Sequence, residues 1–328
     1  MIKNGTLQIG LRVATCLFTL LCGYAFAQTY PVRPVKVVIA LSAGGTADTT
    51  VRLLAQRLSE ALKQPVIVEN KPGGGGVIGA DFVAKSAPDG HTLFLAEAES
   101  MFPGTLMRSS TPYDPLKDFV HIALLYTFPS YLTVRSDHPA KTFQEFIAMA
   151  RARPGAINYA SAGIGSSGFL SGELLKQAAA ISMAHVPYKG IAPAVNALMG
   201  GHVDAVFASY AASAEQVRSG KLRVLATTGE ARVKALPDVP TIGEIVPGVS
   251  GYGWHGISAP AKTPQAVVRR LESEIMKTVT SVDMKATLTG LWGGEPLPLA
   301  SDEFAAFIEN EMRKWGPVVK AGNIRVDK

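Results

Sequence analysis

The order of the apolar segments is the feature that most constrains how this chain can fold. Beyond the N-terminal segment, short runs rich in β-branched residues alternate with amphipathic stretches. Residues 35–41 (VKVVIAL) are continuously apolar, apart from one lysine, which is typical of a strand buried on both faces. Residues 49–63 carry apolar side chains at i, i+3, i+4 and i+7, which predicts a helix with one buried stripe. With strands predicted at 65–69 and 92–96 and a helix at 77–85, the βαβαβ order implies a parallel sheet covered by helices.

The rest of the chain repeats this alternation. Thr142 followed by Glu145 forms a capping-box pattern, which predicts that a helix begins there. Further elements are predicted at 157–161, 167–179, 185–188, 194–199, 204–208, 212–219, 222–227, 254–258, 264–279 and 301–319. We therefore expect an α/β fold with a mixed, mostly parallel sheet in each of two domains.

The chain is expected to pass twice between these domains, near 127–133 and near 247–256. The first domain would comprise residues 28–128 and 251–328, and the second residues 129–250. Two connections of this kind make a hinge, so a ligand site is expected in a central cleft.

The first 27 residues have the composition of a secretory signal peptide. Lys3 and Arg12 form a basic start, residues 13–24 form a short apolar stretch, and the triplet 25–27 (AFA) is an A-x-A cleavage site before Gln28. The alternative is a membrane anchor, but a transmembrane helix needs about 20 apolar residues and this stretch is shorter. We therefore expect export to a bacterial periplasm and a mature protein that starts at Gln28.

Composition excludes several classes of protein. Both cysteines, Cys16 and Cys22, lie in the predicted leader, and lipid attachment at Cys22 is disfavoured because bulky leucines precede it. The 32 Lys+Arg against 26 Asp+Glu give a net charge of +6, and no run of five basic residues occurs, so no nucleic-acid partner is expected. The six histidines show no metal-ligand spacing. We expect them on loops and at the surface, and we expect neither a metal nor a cofactor.

The segment after the first predicted strand has the character of an anion-binding loop. This first loop contains Ser42, Ala43, Gly44, Gly45, Thr46, Ala47 and Asp48. Small side chains would let a ligand approach the backbone, and the N–H groups and dipole of the helix N-terminus favour a carboxylate or phosphate. An ordinary tight turn with Asp48 or Thr49 as helix cap explains the same residues. Position alone leaves both alternatives open.

A second loop, residues 162–168, matches G-x-G-x-x-G. It contains Gly163, Gly165, Ser166, Ser167 and Gly168. A dinucleotide fold also needs an acidic residue about 20 positions further on, at the end of the next strand, and residues 184–188 (AHVPY) offer none. We interpret the loop instead as a second anion-binding helix N-terminus that faces the first one across the cleft.

A serine hydrolase motif is incomplete in this chain. Ser161 and Gly163 resemble half of G-x-S-x-G, but Tyr159 stands in place of the first glycine. The spacing of His185, His202 and His255 gives no acid partner for a catalytic triad.

A set of ordered motifs resembles one family along nearly the whole mature chain. They include QPVIVENKPG at 64–73, APDGHTL at 87–93, NYASAG at 158–163, HVPYKG at 185–190 and LPDVPT at 236–241. By these motifs the chain resembles the Bug-type extracytoplasmic solute receptors of tripartite tricarboxylate transporters. The resemblance implies the venus-flytrap fold of periplasmic binding proteins, a small organic acid as ligand, and ligand carboxylates held by the first and second loops.

The chain departs from the family pattern at positions that bear on specificity. An Asp-Asn pair that often contributes to family sites is replaced by Ala208-Ser209, which makes Ser209 a candidate ligand contact. Glu97 and Glu99 follow the third strand, where the family usually has Thr, Ser or Gly. Either they point to solvent, or they enter the cleft, repel a dianionic ligand and bind a hydroxyl, amide or ammonium group. Glu97 is accordingly a candidate ligand-binding residue.

Taken with the resemblance, these features predict a periplasmic solute-binding protein without catalytic activity. Its expected partners are a small organic acid and the permease subunits of a tripartite transporter, and we expect a monomer. Two alternatives come from other classes: a ligand-sensing adaptor for a signalling system, and a secreted α/β hydrolase.

Overall fold

A computed structural model describes residues 30–292 and 298–326. The predicted leader and its cleavage site lie outside the described residues. Contacts divide the chain into residues 1–32 and a compact unit of residues 33–328. All the elements described below belong to the second unit.

As far as residue 97, the first part of the chain alternates strands and helices, as predicted, whereas the helix and the two strands that follow were not predicted. Its elements are β1 (Val35–Ile39), α1 (Thr46–Leu62), β2 (Val66–Asn70), α2 (Val77–Ala84), β3 (Thr92–Glu97), α3 (Ala98–Leu106), β4 (Phe119–Pro129) and β5 (Tyr131–Arg135). The alternation arises because β1 and β3 are buried along most of their length, whereas α1 buries only one stripe.

The remaining elements continue in the same manner. They are α4 (Phe143–Ala152), β6 (Asn158–Ser161), α5 (Ser167–Ala179), β7 (Ala184–Pro187), α6 (Ile191–Met199), β8 (Ala205–Ala208), α7 (Ala214–Arg218), β9 (Leu222–Thr227), β10 (Tyr252–Pro260), α8 (Gln265–Thr280), α9 (Val282–Trp292), β11 (Leu299–Ala300) and α10 (Ser301–Ala321). Thr142 caps α4 and forms the predicted capping box with Glu145.

The strands form two mixed sheets. Sheet A has the order β11-β4-β10-β3-β1-β2, and sheet B has the order β7-β6-β8-β5-β9. β1 is parallel to β2 and β3, and β6 is parallel to β7 and β8, whereas β10 runs antiparallel to β3 and β4. These two mixed sheets with flanking helices confirm the predicted α/β fold class. Because parallel neighbours end at the same edge, the loops after β1 and β3 share one edge of sheet A, and the loops after β6 and β8 share one edge of sheet B.

Two connections carry the chain between the sheets. The first is at Ser130, between β4 and β5, and the second lies between β9 and β10. The buried Thr228 hydroxyl joins them, because it accepts a hydrogen bond from the Ser130 N–H at 2.9 Å and donates one to the Gly251 carbonyl. The division into domains at 28–128 plus 251–328 and at 129–250 remains a prediction.

Part of the hydrophobic core is shared by the elements around both sheets. Phe169 and Leu170 of α5 belong to the same buried cluster as Phe102, Trp254 and Trp315. The first turns of α5, which follow a strand of sheet B, are therefore packed against elements around sheet A. Two further clusters lie among the elements of sheet B.

Several boundaries differ from the predictions for physical reasons. α1 begins at Thr46 rather than residue 49, because Gly45 occupies the cap position instead of Asp48 or Thr49. The helix α3 was not predicted, because its apolar positions follow no clear helical period, and burial of Met101 and Phe102 stabilises it instead. Since α3 starts directly after β3, Glu99 lies in its first turn.

Candidate functional site

The first loop leaves the N-terminus of α1 open to solvent. Ser42, Ala43, Gly44 and Gly45 are exposed, and Thr46 is the first residue of α1. The cap residue Gly45 has no side chain with which to bond the first N–H groups of the helix. Gly44 has a φ of 85°, a conformation that favours glycine. The loop therefore presents backbone N–H groups of the kind that bind anions.

Asp48 holds the first loop in shape. One carboxylate oxygen accepts hydrogen bonds from the Gly44 N–H at 3.1 Å and from Arg52 Nε at 2.9 Å. The other oxygen accepts a hydrogen bond from Asn70 Nδ2 at 3.0 Å. Burial by itself would raise the pKa of Asp48, but these hydrogen bonds outweigh it and lower the pKa below its ordinary value. Asp48 is thus ionised, and its hydrogen bonds hold the first loop in position.

The second loop is more buried than the first, and hydrogen bonds among its own residues hold it. The Ser166 Oγ accepts a hydrogen bond from the Phe169 N–H at 3.2 Å and donates one to the Gly163 carbonyl at 2.7 Å. Ser166 is therefore the N-cap of α5. Gly165 has a φ of 89°, which again favours glycine. The Ser166 hydroxyl is already engaged in shaping the loop.

Ser209 lies beside the second loop. A Cβ atom at Gly168 would lie 2.5 Å from the carbonyl oxygen of Phe207, so the first turn of α5 abuts the end of β8 without room for a side chain. Ser209 follows that strand and is buried, with no capping hydrogen bond from its side chain to the short turn Tyr210–Ala212. The second loop and Ser209 therefore share one edge of sheet B.

Glu97, at the end of β3, faces the interior. Its side chain is 0% exposed, and neither carboxyl oxygen has a hydrogen-bond partner among the described residues. His255 is its cross-strand neighbour in β10, with Nε2 at 3.7 Å from Oε2 of Glu97. Burial, and after it the proximity of Glu99, raise the pKa of Glu97 well above its ordinary value. Of the two alternatives drawn from the sequence, exposure to solvent is wrong for this residue.

His255 is held by an aromatic neighbour. Its Nδ1 is hydrogen-bonded to the Tyr126 hydroxyl, and the two rings meet edge to face. Burial lowers the pKa of His255 to about 3, so the ring is neutral at physiological pH. His121 in β4 is also buried, and burial lowers its pKa to about 4. The expected location of the histidines on loops and at the surface is wrong for these two, because both lie in central strands of sheet A.

Glu99 connects the two halves of the site. It lies in the first turn of α3 and is half-buried, and its carboxyl group lies near its own N–H and near the N–H of Ser167, the first residue of α5. Burial raises the pKa of Glu99 to about 7, while the two N–H groups oppose that shift. A carboxyl group of the protein thus lies beside the N-terminus of α5.

These contacts bring most of the predicted site residues into one region. The first loop and Glu97 lie at the same edge of sheet A, because β1 and β3 are parallel neighbours. Glu99 joins that edge to Ser167, and α5 in turn abuts the strand that precedes Ser209. Sequence reasoning missed Tyr126 and His255, since no local pattern reveals that β10 lies between β3 and β4.

A serine–histidine pair also lies beside the second loop. Ser161 Oγ and His185 Nε2 are 2.8 Å apart, a proximity that sequence spacing did not reveal. The Ser161 side chain is wholly buried and accepts the Gly163 N–H as well. Burial lowers the pKa of His185 to about 4, which makes it a weak base near neutral pH. A buried hydroxyl with a weak base suits loop geometry better than nucleophilic catalysis.

Two searches of the described part of the chain gave negative results. Within it, no group of three or more His, Cys, Asp or Glu side chains is placed to hold a metal ion. Nor does any helix in residues 30–292 or 298–326 combine the length and apolar character that crossing a membrane requires.

Comparisons with known proteins agree with the fold and with the motifs. Residues 50–324 match the family model described as Tripartite tricarboxylate transporter family receptor, TctC. Protein BugT of Bordetella pertussis is 35% identical over 298 residues, which cover 90% of this chain and 90% of BugT.

Two solved structures extend this similarity to three dimensions. The structure of R. palustris Rpa4515 with adipate has a TM-score of 0.84 at 32% identity and covers 90% of this chain and 99% of that chain. MatC from Rhodopseudomonas palustris with bound malate has a TM-score of 0.80 at 32% identity and covers 88% of this chain and 100% of that chain. The similarity therefore extends well beyond isolated motifs.

Proposed function

The chain belongs to the tripartite tricarboxylate transporter receptor family, and on that premise we propose that it is a periplasmic receptor for a small organic acid. It binds the acid, delivers it to a membrane permease and catalyses no reaction. The observation that carries this proposal is the exposed first loop at the uncapped N-terminus of α1. Structures similar to this one contain adipate or malate, which are both organic acids.

One carboxylate of the ligand binds the first loop in this proposal. The backbone from Ser42 to Thr46 supplies N–H donors, apart from the Gly44 N–H that is bonded to Asp48, and the absence of side chains at Gly44 and Gly45 gives the ligand access to them. Each charge-assisted hydrogen bond contributes about 1.5–3 kcal/mol, so a few N–H groups are enough to bind a carboxylate without a cationic side chain. Asp48 maintains this geometry through its hydrogen bonds to Gly44, Arg52 and Asn70.

The second loop and Ser209 form the opposite wall of the proposed site. Gly163 is half-buried, whereas Gly165 and Gly168 are buried, and Ser167 and Ser209 have hydroxyl groups at this edge of sheet B. A ligand that touches both walls would favour the closed arrangement of the two predicted domains.

Export through residues 1–27 is part of the same proposal. The purified periplasmic protein should begin at Gln28, as N-terminal sequencing or intact mass would show. A protein that retains Met1, or one that carries an acylated Cys22, would contradict it.

The function is tested by a thermal-shift screen of the periplasmic protein against mono-, di- and tricarboxylates, aromatic acids, amides and amino acids. A ligand at 100 times its dissociation constant should stabilise the fold by about 2.7 kcal/mol. At least one organic acid is expected to do so, with affinity confirmed by calorimetry. A receptor that no acid stabilises, while an uncharged solute does, would contradict the proposal.

A further inference from the structure

Two carboxyl groups of the protein lie between the two loops of the proposed site. Glu97 lies at the edge of sheet A that carries the first loop, and Glu99 reaches the first N–H of α5 in the second loop. A receptor for a doubly charged acid would instead keep both helix N-termini available for the two ligand carboxylates. Here a carboxyl group of the protein, that of Glu99, already lies beside the second one.

Glu97 supplies an independent indication that a partner is missing. It is wholly buried, and both its oxygens lack hydrogen-bond partners among the described residues. His255 cannot neutralise it, since its ring is uncharged near neutral pH and its Nε2 lies 3.7 Å away, beyond hydrogen-bond distance. Buried polar groups are nearly always hydrogen-bonded in folded proteins. An unbonded carboxyl at this position is therefore suited to a hydrogen-bond donor that arrives with the ligand.

We infer that the ligand carries a single carboxylate, which binds the first loop, and a nitrogen hydrogen-bond donor at its other end, which binds Glu97 and Glu99. This inference rests on the proposed function and specifies its substrate class. Glu97 and Glu99 are then the specificity-determining residues, because their carboxyl oxygens accept hydrogen bonds from N–H groups, which a second carboxylate does not offer.

The chemistry of the cluster supports a nitrogen donor. His255 from β10 is the cross-strand neighbour of Glu97 and is bonded to the Tyr126 hydroxyl. The Ser167 N–H lies beside Glu99. Tyr113 also lies near Glu97, and burial, followed by the proximity of acidic groups that include Glu97, raises the pKa of that tyrosine. None of these four groups carries a positive charge near neutral pH. Burial raises the pKa of both Glu97 and Glu99. An ammonium group would lower both pKa values again and release protons on binding, whereas a neutral amide would release few.

The test is a calorimetric titration of the periplasmic protein with acids that differ only in their end group. The six-carbon series is adipate, its monoamide, 6-aminohexanoate and hexanoate, and the four-carbon series is succinate, its monoamide, 4-aminobutanoate and butanoate. In at least one series, the amine or the amide should bind at least tenfold more tightly than the dicarboxylate and the plain acid. Repeating the titration in two buffers of different ionisation enthalpy distinguishes an ammonium from an amide by the protons released.

Variants of Glu97 and Glu99, compared with a surface control, test whether these two side chains cause the preference for a nitrogen-bearing ligand. Glu99→Gln and Glu97→Gln keep the shape of the side chains but replace the ionisable carboxyl with an amide, and each should reduce the preference for nitrogen over the dicarboxylate at least tenfold. Glu309→Gln, on the exposed surface of α10, changes the net charge equally and should leave the preference unchanged. Should a site variant fail to fold, the wild-type series decides alone.

The outcomes separate this inference from the proposed function. A wild-type protein that prefers the dicarboxylate, or that binds no nitrogen-bearing member of either series, would overturn the inference while leaving an acid receptor intact. Failure of every acid, in these series and in the broader screen, would overturn the proposed function as well.

Discussion

The first and second loops each follow a parallel strand and open a long helix, yet they present very different surfaces. In the first loop, Ser42 to Gly45 are exposed and no side chain caps α1. In the second, Ser166 caps α5 and Glu99 supplies a carboxylate to Ser167. Two similar sequence patterns have thus produced one helix N-terminus that is open to solvent and one that lies beside a carboxyl group of the protein.

The difference arises from the position of the acidic side chain that lies beside each loop. Asp48 lies inside its own helix and bonds backward to Gly44, so it shapes the first loop without covering the first N–H groups of α1. Glu99 comes from another element and reaches the N-terminus of α5 from outside. A helix N-terminus with small residues is therefore not enough to predict a free anion site, because a distant carboxylate can occupy it.

The largest expected effect comes from blocking the open loop. Gly45→Val should weaken binding of the acid found in the screen at least 100-fold, or about 2.8 kcal/mol, because the added side chain would lie over the first N–H groups of α1. The fold should persist, since a Cβ atom at Gly45 meets no atom within 4 Å and the residue has a φ of −79°. Calorimetry measures the affinity and thermal unfolding measures the stability.

Gly290→Val is the matched control for that variant. A Cβ atom there also meets nothing within 4 Å, but the residue lies in α9. Unchanged affinity is expected for it. If Gly45→Val bound the acid as tightly as this control does, the first loop would not be the ligand site.

The next effect is a dependence of stability on pH, which comes from Glu99 beside the second loop. The folded-state pKa of Glu99, about 7, lies above the ordinary value of 4.5, so the folded protein binds more protons than the unfolded chain between these values. The free energy of unfolding should therefore fall as pH rises from about 4.5 to 7, by roughly 1–3 kcal/mol. Urea unfolding from pH 4.5 to 8 should show this slope, and Glu99→Gln should reduce it. Glu97 should leave a smaller slope of the same sign in Glu99→Gln. If the unfolding free energy of the wild type and of Glu99→Gln fell equally with pH, the raised pKa of Glu99 would be contradicted.

The smallest effect compares one hydroxyl in each loop. Ser166→Ala removes the N-cap of α5 and should lower the free energy of unfolding by about 1 kcal/mol, while Ser42→Ala changes an exposed residue and should lie within about 0.5 kcal/mol of the wild type. Denaturant unfolding at constant pH measures both. Equal stability of the two variants would show that the second loop is not held by its own cap.

The sequence predicted the features that depend on local pattern. The βαβ alternation, the capping box of Thr142 and Glu145 and the bounds of α5 follow from apolar period and capping chemistry, and the structure confirms them. These features depend on residues that are near one another in the chain.

What could not be predicted depends on long-range contacts. The proximity of His255 to Glu97 requires β10 to pair with β3, and that of Ser161 to His185 requires β6 to pair with β7. The orientation of Glu99 toward Ser167 depends on α3, which packing rather than periodicity stabilises. The sequence left open whether Glu97 and Glu99 were buried, because alternation along a strand does not say what covers its end.

The amide proton of Ser167 tests most directly whether Glu99 lies at the N-terminus of α5. We expect its NMR chemical shift in the unliganded protein to titrate with an inflection near pH 7, as the Glu99 carboxyl gains its charge. In Glu99→Gln the same resonance should be nearly independent of pH. A Ser167 amide that does not titrate in the wild-type protein, or that titrates equally in both proteins, would contradict the account.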